Sequence, residues 1–251
     1  MADVSWRRAL WWQCAALVLA VTWLWGPTQS LWDRMDWGVY HLFQGLASES
    51  RWFAYAMAVL NAPIGNWVMC GFLGVGVCPW LIKSRSWEEF ARKAAEGSLY
   101  VILFFVAFFV ISRGLFGSWL DFQRLSPSLV ERPLVDLALL VPGLKVKCSS
   151  VQSFPSDHAT QLLLLAMFGW RFGTRWRWVM AAIAVFFCCP RLVSGGHWFS
   201  DCFVGGLGIA MMVYGLGFVS PIHEVLLMPI EWVWRRLVGL PARPAEETQP
   251  S

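Results

Sequence analysis

Apolar residues run almost unbroken through six stretches of the chain, at about 9–26, 66–82, 94–112, 159–172, 177–194 and 199–220. A helix rises ~1.5 Å per residue, so crossing ~30 Å of hydrocarbon takes ~20 apolar residues. The pattern predicts an all-α protein, a polytopic membrane bundle of about six transmembrane helices, with the short fourth and fifth runs extended by their flanks. Residues 30–62 mix polar and apolar positions. They predict an interfacial amphipathic helix followed by a segment that lengthens the second span. Residues 113–158 form the one long connection; apolar stretches such as LVDLALLVPGL predict short helices there rather than disorder. Residues 1–240 read as a single integral-membrane domain. PARPAEETQPS, at 241–251, reads as a disordered cytoplasmic tail.

Composition agrees with this pattern. The chain is 57% hydrophobic and 14% charged, against ~25% charged in soluble domains. Arg7 and Arg8 precede an apolar run with no small-residue cleavage site after it, which predicts an uncleaved first helix. With both termini inside, the inside segments hold twelve Lys and Arg and the outside segments eight, five of them in the long loop. Short inside loops are dense in positive charge, as orientation by charge requires. The net charge of +4 thus reflects topology and implies no nucleic-acid partner. The seven cysteines include no C-x-x-C pair, and six lie in or beside apolar runs as small hydrophobes.

Three polar clusters fall on the outside face: FQRLSP (122–127), SFPSDH (153–158), and Arg191 with His197 and Asp201. His197 and Asp201 are four apart, so on a helix they share a face. An aspartate on one imidazole nitrogen fixes the tautomer and leaves the other nitrogen as nucleophile or base. Ser153, Ser156 and Asp157 are capping residue types, and a helix start attracts anions. Arg124 and Arg191 suit bidentate clamping of phosphate oxygens. His158, beside that anion site, can protonate a leaving oxygen. Gly195 and Gly196 allow a backbone to approach phosphate closely. Taken singly, each residue reads more readily as a snorkelling or paired charge than as a functional one. Three clusters on one face point instead to phosphoryl transfer. Zinc held by His158, His197 and Asp201 fits no common ligand spacing, so no metal and no cofactor is expected. His41 and His223, away from the clusters, are expected to be structural or interfacial.

At these residues the chain resembles the type-2 phosphatidic acid phosphatase superfamily, whose acid phosphatase and haloperoxidase members share a helical core. Its P-S-G-H motif is matched by Pro155-Ser156-Asp157-His158, with Asp for Gly. Its S-R-x5-H-x3-D motif is matched by Arg191, His197 and Asp201, with Pro190 for Ser. The first motif, K-x6-R-P, departs: Trp119 stands at the lysine position and Ser126 at the arginine position, and Arg124 falls between them. Arg132-Pro133 offers a second R-P, with Leu125 at its lysine place. The series R-x-S-P, F-P-x-D-H and P-R-x-x-x-G-x-H-W-F-x-D, with W-F-x4-A-x-x-N at 52–61, is similar to one branch, the bacterial inner-membrane lipid A phosphotransferases. That resemblance implies phosphate transfer from undecaprenyl diphosphate to lipid A at the periplasmic face, with membrane lipids as surroundings. His197 would attack phosphorus, Asp201 orient it, and His158 move the proton. Arg124, Arg191, Ser156 and Gly196 would hold phosphate, with Ser126, Asp157 and Arg132 as further candidates. The alternative is a lipid phosphatase acting on undecaprenyl diphosphate or phosphatidylglycerophosphate. A non-catalytic lipid-binding protein is a third reading, at odds with the retained His, His, Arg and Asp.

Overall fold

The computed structural model describes residues 4–172 and 174–241; the tail from residue 242 lies outside it. The described residues form helices and loops without a strand, apart from one isolated parallel bridge between Arg124 and Gln152.

Helices α1 (Trp6–Leu24) and α2 (Gly26–Glu49) meet at 87°. Trp25 between them is extended, and Pro27 stands in the first turn of α2, where a missing N–H leaves no bond unmade. Along α2, Asp36, Tyr40, Gln44 and Ala47 are buried. Their spacing of three and four marks an inward face. Helix α3 (Arg51–Asn61) is capped by Ser50 and ends at Ala62, extended before Pro63 opens α4 (Pro63–Ile82). The segment expected to lengthen the second span is therefore a separate helix.

Helix α5 runs unbroken over Trp87–Trp119. The long connection thus begins seven residues later than the hydropathy implied, and Arg113 lies on a helix rather than in the loop. Two one-turn helices, α6 (Pro127–Val130) and α7 (Leu137–Leu140), punctuate that connection.

Helix α8 (Asp157–Phe168) is the centre of the molecule. Ala159, Thr160, Leu162 and every residue from Leu164 to Phe168 are buried, as in a helix packed all round. On one side Leu164 and Phe168 share a core with Leu99 of α5, Val213 and Phe218 of α10 (Asp201–Val219), and Leu227 of α11 (Ile222–Leu237). On the other, Leu162 and Ala166 pack on Met180, Ala184 and Phe187 of α9 (Thr174–Val193). The twelve residues of α8 rise about 18 Å, less than a bilayer core, and its neighbours cover it. Among the described residues α5 and α10 are long and apolar enough to cross a membrane, and the bent α1–α2 pair is a third if taken as one span.

The end of the bundle away from His158 is tied by ion pairs. Arg171, just past α8, meets Glu96 at 2.8 and 3.0 Å, and Arg92 meets Glu224 at 2.7 Å and Glu231 at 3.4 Å. His223 is wedged between the Gly217 carbonyl (2.9 Å) and Arg171 (3.2 Å), a structural position as its sequence context suggested.

Candidate active site

The N-terminus of α8 and the first turn of α10 are the two halves of the site. Ser156 caps α8, its Oγ accepting from Ala159 N–H (3.4 Å), while its own N–H donates to the Asp201 carbonyl (3.1 Å). The halves meet because Gly205 and Gly206 lack side chains. A Cβ on Gly206 would lie 2.8 Å from Ala159 Cβ, and one on Gly205 2.8 Å from Pro155 Cβ. The first two turns of α10, from Asp201 to Leu207, are wound in the wider π form, a local geometry frequent at functional sites.

His197 sits in the turn between α9 and α10. Gly195 adopts φ +67°, which a residue without Cβ accepts, and the N–H groups of Gly196 and His197 fold back onto the Arg191 carbonyl at 3.1 and 3.3 Å. The His197 Nδ1 lies 2.7 Å from the Ser153 carbonyl. A carbonyl only accepts, so Nδ1 carries the proton and Nε2 is left with its lone pair. The sequence assigned this orienting role to Asp201. Asp201 stands 3.7 Å from Nδ1, with one oxygen accepting from Trp198 N–H (2.8 Å) and the other from Arg124. The backbone carbonyl sets the tautomer, and the carboxylate is near enough to stabilise an imidazolium.

Arg124 is also placed differently from expectation. Its Nη1 donates to Ser200 Oγ (2.8 Å) and Asp201 Oδ1 (2.5 Å), and its Nη2 to Asp36 Oδ2 (2.7 Å). Asp36, 2% exposed, also accepts from the Ser200 N–H (2.7 Å) and hydroxyl (2.6 Å). Arg124 is thus a bracket between two buried carboxylates, not a free phosphate clamp. Its strand of loop is registered against the second cluster by Ser153 N–H on the Arg124 carbonyl (2.8 Å) and Ser126 N–H on the Ser150 carbonyl (2.9 Å). Two other expected phosphate contacts, Ser126 and Gly196, have structural surroundings, and a third, Arg132, lies apart. Ser126 is buried, with its Oγ accepting from Ser150 N–H (2.9 Å). Gly196 packs under the Lys147 carbonyl, and its N–H is already bonded. Arg132 is exposed and joins none of these contacts.

The cations available to an anion are gathered elsewhere. Arg191 Nη1 is buried without a hydrogen-bond partner. Arg113 reaches from α5 to Asp157 at the start of α8 (2.8 Å). Lys147 is anchored through its carbonyl, which accepts from Asn61 Nδ2 (2.9 Å). Although that side chain is still solvent-exposed, partial removal from water, and then the nearby Arg191 and Arg113, hold its ammonium below the ordinary lysine range. His158 has Arg191, His197 and Lys147 as electrostatic neighbours and a hydrogen bond to the Phe187 backbone. The arrangement offers a nucleophilic imidazole nitrogen, a second imidazole, and cations beside a helix N-terminus. Asp36, Arg113 and Lys147 were missed in the sequence. The signal for Asp36 was its place on the Tyr40, Gln44, Ala47 stripe. The signal for a displaced cation was the missing lysine of the first motif.

Residues 122–221 match the family model of the PAP2 superfamily, a stretch that holds Arg124, Ser156, His158, Arg191, His197 and Asp201. Over those residues the chain is similar to that superfamily, and the two comparisons support an enzyme of the phosphatase and phosphotransferase class. More particularly, the chain is 24% identical over 212 residues to the lipid A 1-diphosphate synthase of Escherichia coli (strain K12), a match covering 84% of this chain and 86% of that protein. No solved structure matches the chain significantly.

Proposed function

We propose that the protein transfers a phosphoryl group from undecaprenyl diphosphate to lipid A. The observation that carries this reading is the His197 geometry, joined to a similarity that spans most of both chains. His197 Nε2 attacks the terminal phosphorus and forms a P–N bond as the bond to the bridging oxygen breaks. Undecaprenyl phosphate leaves, with His158 delivering a proton to its oxygen. Asp201 stabilises the positive ring of the phosphohistidine. In the second half His158 takes the proton from a lipid A phosphate oxygen, which attacks phosphorus and frees His197. Arg191, Ser156 and the start of α8 bear on the phosphate oxygens, with Arg113 and Lys147 at the edge.

The six-span topology, with both termini cytoplasmic and the site opening to the periplasm of the inner membrane, belongs to this proposal. Its support is the distribution of Lys and Arg along the chain. So does the division into one membrane domain, residues 1–240, and a tail.

The test is incubation of the purified protein with undecaprenyl diphosphate labelled in its terminal phosphate. An acid-labile label on the wild-type protein, absent from His197→Ala and chased onto lipid A, is the expected result. Label released only as inorganic phosphate in the presence of lipid A would replace transfer by hydrolysis.

A further inference from the structure

A cavity of about 350 Å³ opens beside the site between α2 and the long connection, lined among others by Asp33, Asp36, Trp37, Gln123, Arg124 and Trp198. None of the cations grouped around His158 lines it. It reaches the reactive centre through Trp198, the residue after His197, and through Arg124, bonded to Asp201.

Its chemistry differs from that of the cations around His158. Arg124 is the one cation among the residues that line it, and its charge is already opposed by Asp36 and Asp201. Asp33 adds a further carboxylate at an exposed position on α2. A phosphate entering here would meet more negative than positive charge. The walls are two indoles, Trp37 and Trp198, set edge to face with centroids 4.8 Å apart. Trp198 is fixed by its Nε1 on the Leu125 carbonyl (2.7 Å), so this wall is rigid. Aromatic faces are electron-rich and take the weakly positive C–H groups of a ring; carboxylates and an amide take its hydroxyl and N–H donors. A hollow of this size with a few polar groups on apolar walls suits a compact ligand.

We propose that this cavity is the acceptor's sugar subsite, seating a hexosamine ring against Trp37 with its polar groups on Asp33 and Gln123. This rests on the phosphotransferase reading above. The site would then be two-sided, with donor phosphates on the Arg191 side and the acceptor's sugar on the Asp36 side, so that the acceptor phosphate is presented toward His197.

Equilibrium binding to detergent-solubilised protein tests it, in a His197→Ala background that cannot turn over. Adding Trp37→Ala or Asp33→Ala is expected to weaken lipid A binding by about tenfold or more, with undecaprenyl diphosphate affinity held within about twofold. Asp33 is exposed, so its variant reads the subsite without a loss of packing. Unchanged lipid A affinity in the Asp33 variant, an equal loss for both lipids, or no lipid A binding to the parent protein would each overturn the subsite. Lipid A binding that depends on Asp33, together with wild-type enzyme that only hydrolyses the donor, would keep the subsite and remove the transfer reading.

Discussion

Asp36 and Arg124, 88 positions apart, meet at 2.7 Å, and the same guanidinium holds Asp201 at the start of α10. Through this bracket the second helix of the chain, which carries none of the recognised motifs, fixes the carboxylate that stands behind His197.

Removing Asp36 leaves Arg124 Nη2 and the Ser200 N–H and hydroxyl without their acceptor, while Arg124 keeps Asp201. Leaving a buried donor unsatisfied costs about 1–3 kcal/mol, so Asp36→Ala should lower the unfolding midpoint clearly in detergent. Asp36→Asn keeps the shape and two acceptor bonds and should lose less. Thermal melts of both variants measure the difference, and equal melting of all three proteins would show that the bracket carries no stability.

Arg124 and Arg191 should separate kinetically. Arg124 acts through Asp201, so Arg124→Ala should lower kcat by about a hundredfold while donor KM changes by about twofold or less. Arg191 Nη1 has no partner in the protein, and Arg191→Ala should raise donor KM by about tenfold or more. Steady-state kinetics over a range of undecaprenyl diphosphate resolves the two patterns. The reverse assignment would mean that Arg124 turns to the phosphate when substrate is bound.

Lys147 predicts an alkaline limb. Its ammonium lies below the ordinary lysine range, so it loses its proton, and its attraction for phosphate, at a lower pH than a free lysine would. Donor kcat/KM should therefore fall as pH rises through that depressed value. Lys147→Arg, which keeps its charge at all these pH values, should carry the plateau to higher pH, and Lys147→Met should give a lower, flatter profile on that side. An unaltered alkaline limb in both variants would place the titrating group elsewhere.

Gly206 tests the contact between the two halves of the site. A methyl group there would sit 2.8 Å from Ala159 Cβ, with helix backbone on one side and the start of α8 on the other. Gly206→Ala should cost about 1–3 kcal/mol by overpacking and should also lower activity, since it pushes Ser156 and His158 away from Asp201. A melting temperature and activity both equal to wild type would show that α8 and α10 can shift apart freely.

The sequence by itself determined the helical class and the membrane character, and it singled out His158, His197, Asp201 and Arg191 as candidate site residues. Each of these is a local property: the length of an apolar run, the residue types tolerated near it, and spacings of four or six within one turn or helix start. Where helices begin and end was legible to a few residues where a Pro or a Ser marked it, as at Ser156 before α8. The unbroken passage of α5 through Arg113 and Gly114 was not, because helix continuation there carries no local signal. Only the tertiary structure decided which polar groups meet. Arg124 reads as a phosphate clamp in the sequence, but α2 brings Asp36 to it; Asp201 reads as the group that fixes the His197 tautomer, but the Ser153 carbonyl takes Nδ1 and the carboxylate stays 3.7 Å away. Lys147 and Arg113, loop charges in the sequence, reach the site because a closed bundle brings the end of α5 and the returning connection to the start of α8. A charge pair between distant segments depends on packing geometry, which no short window of residues contains.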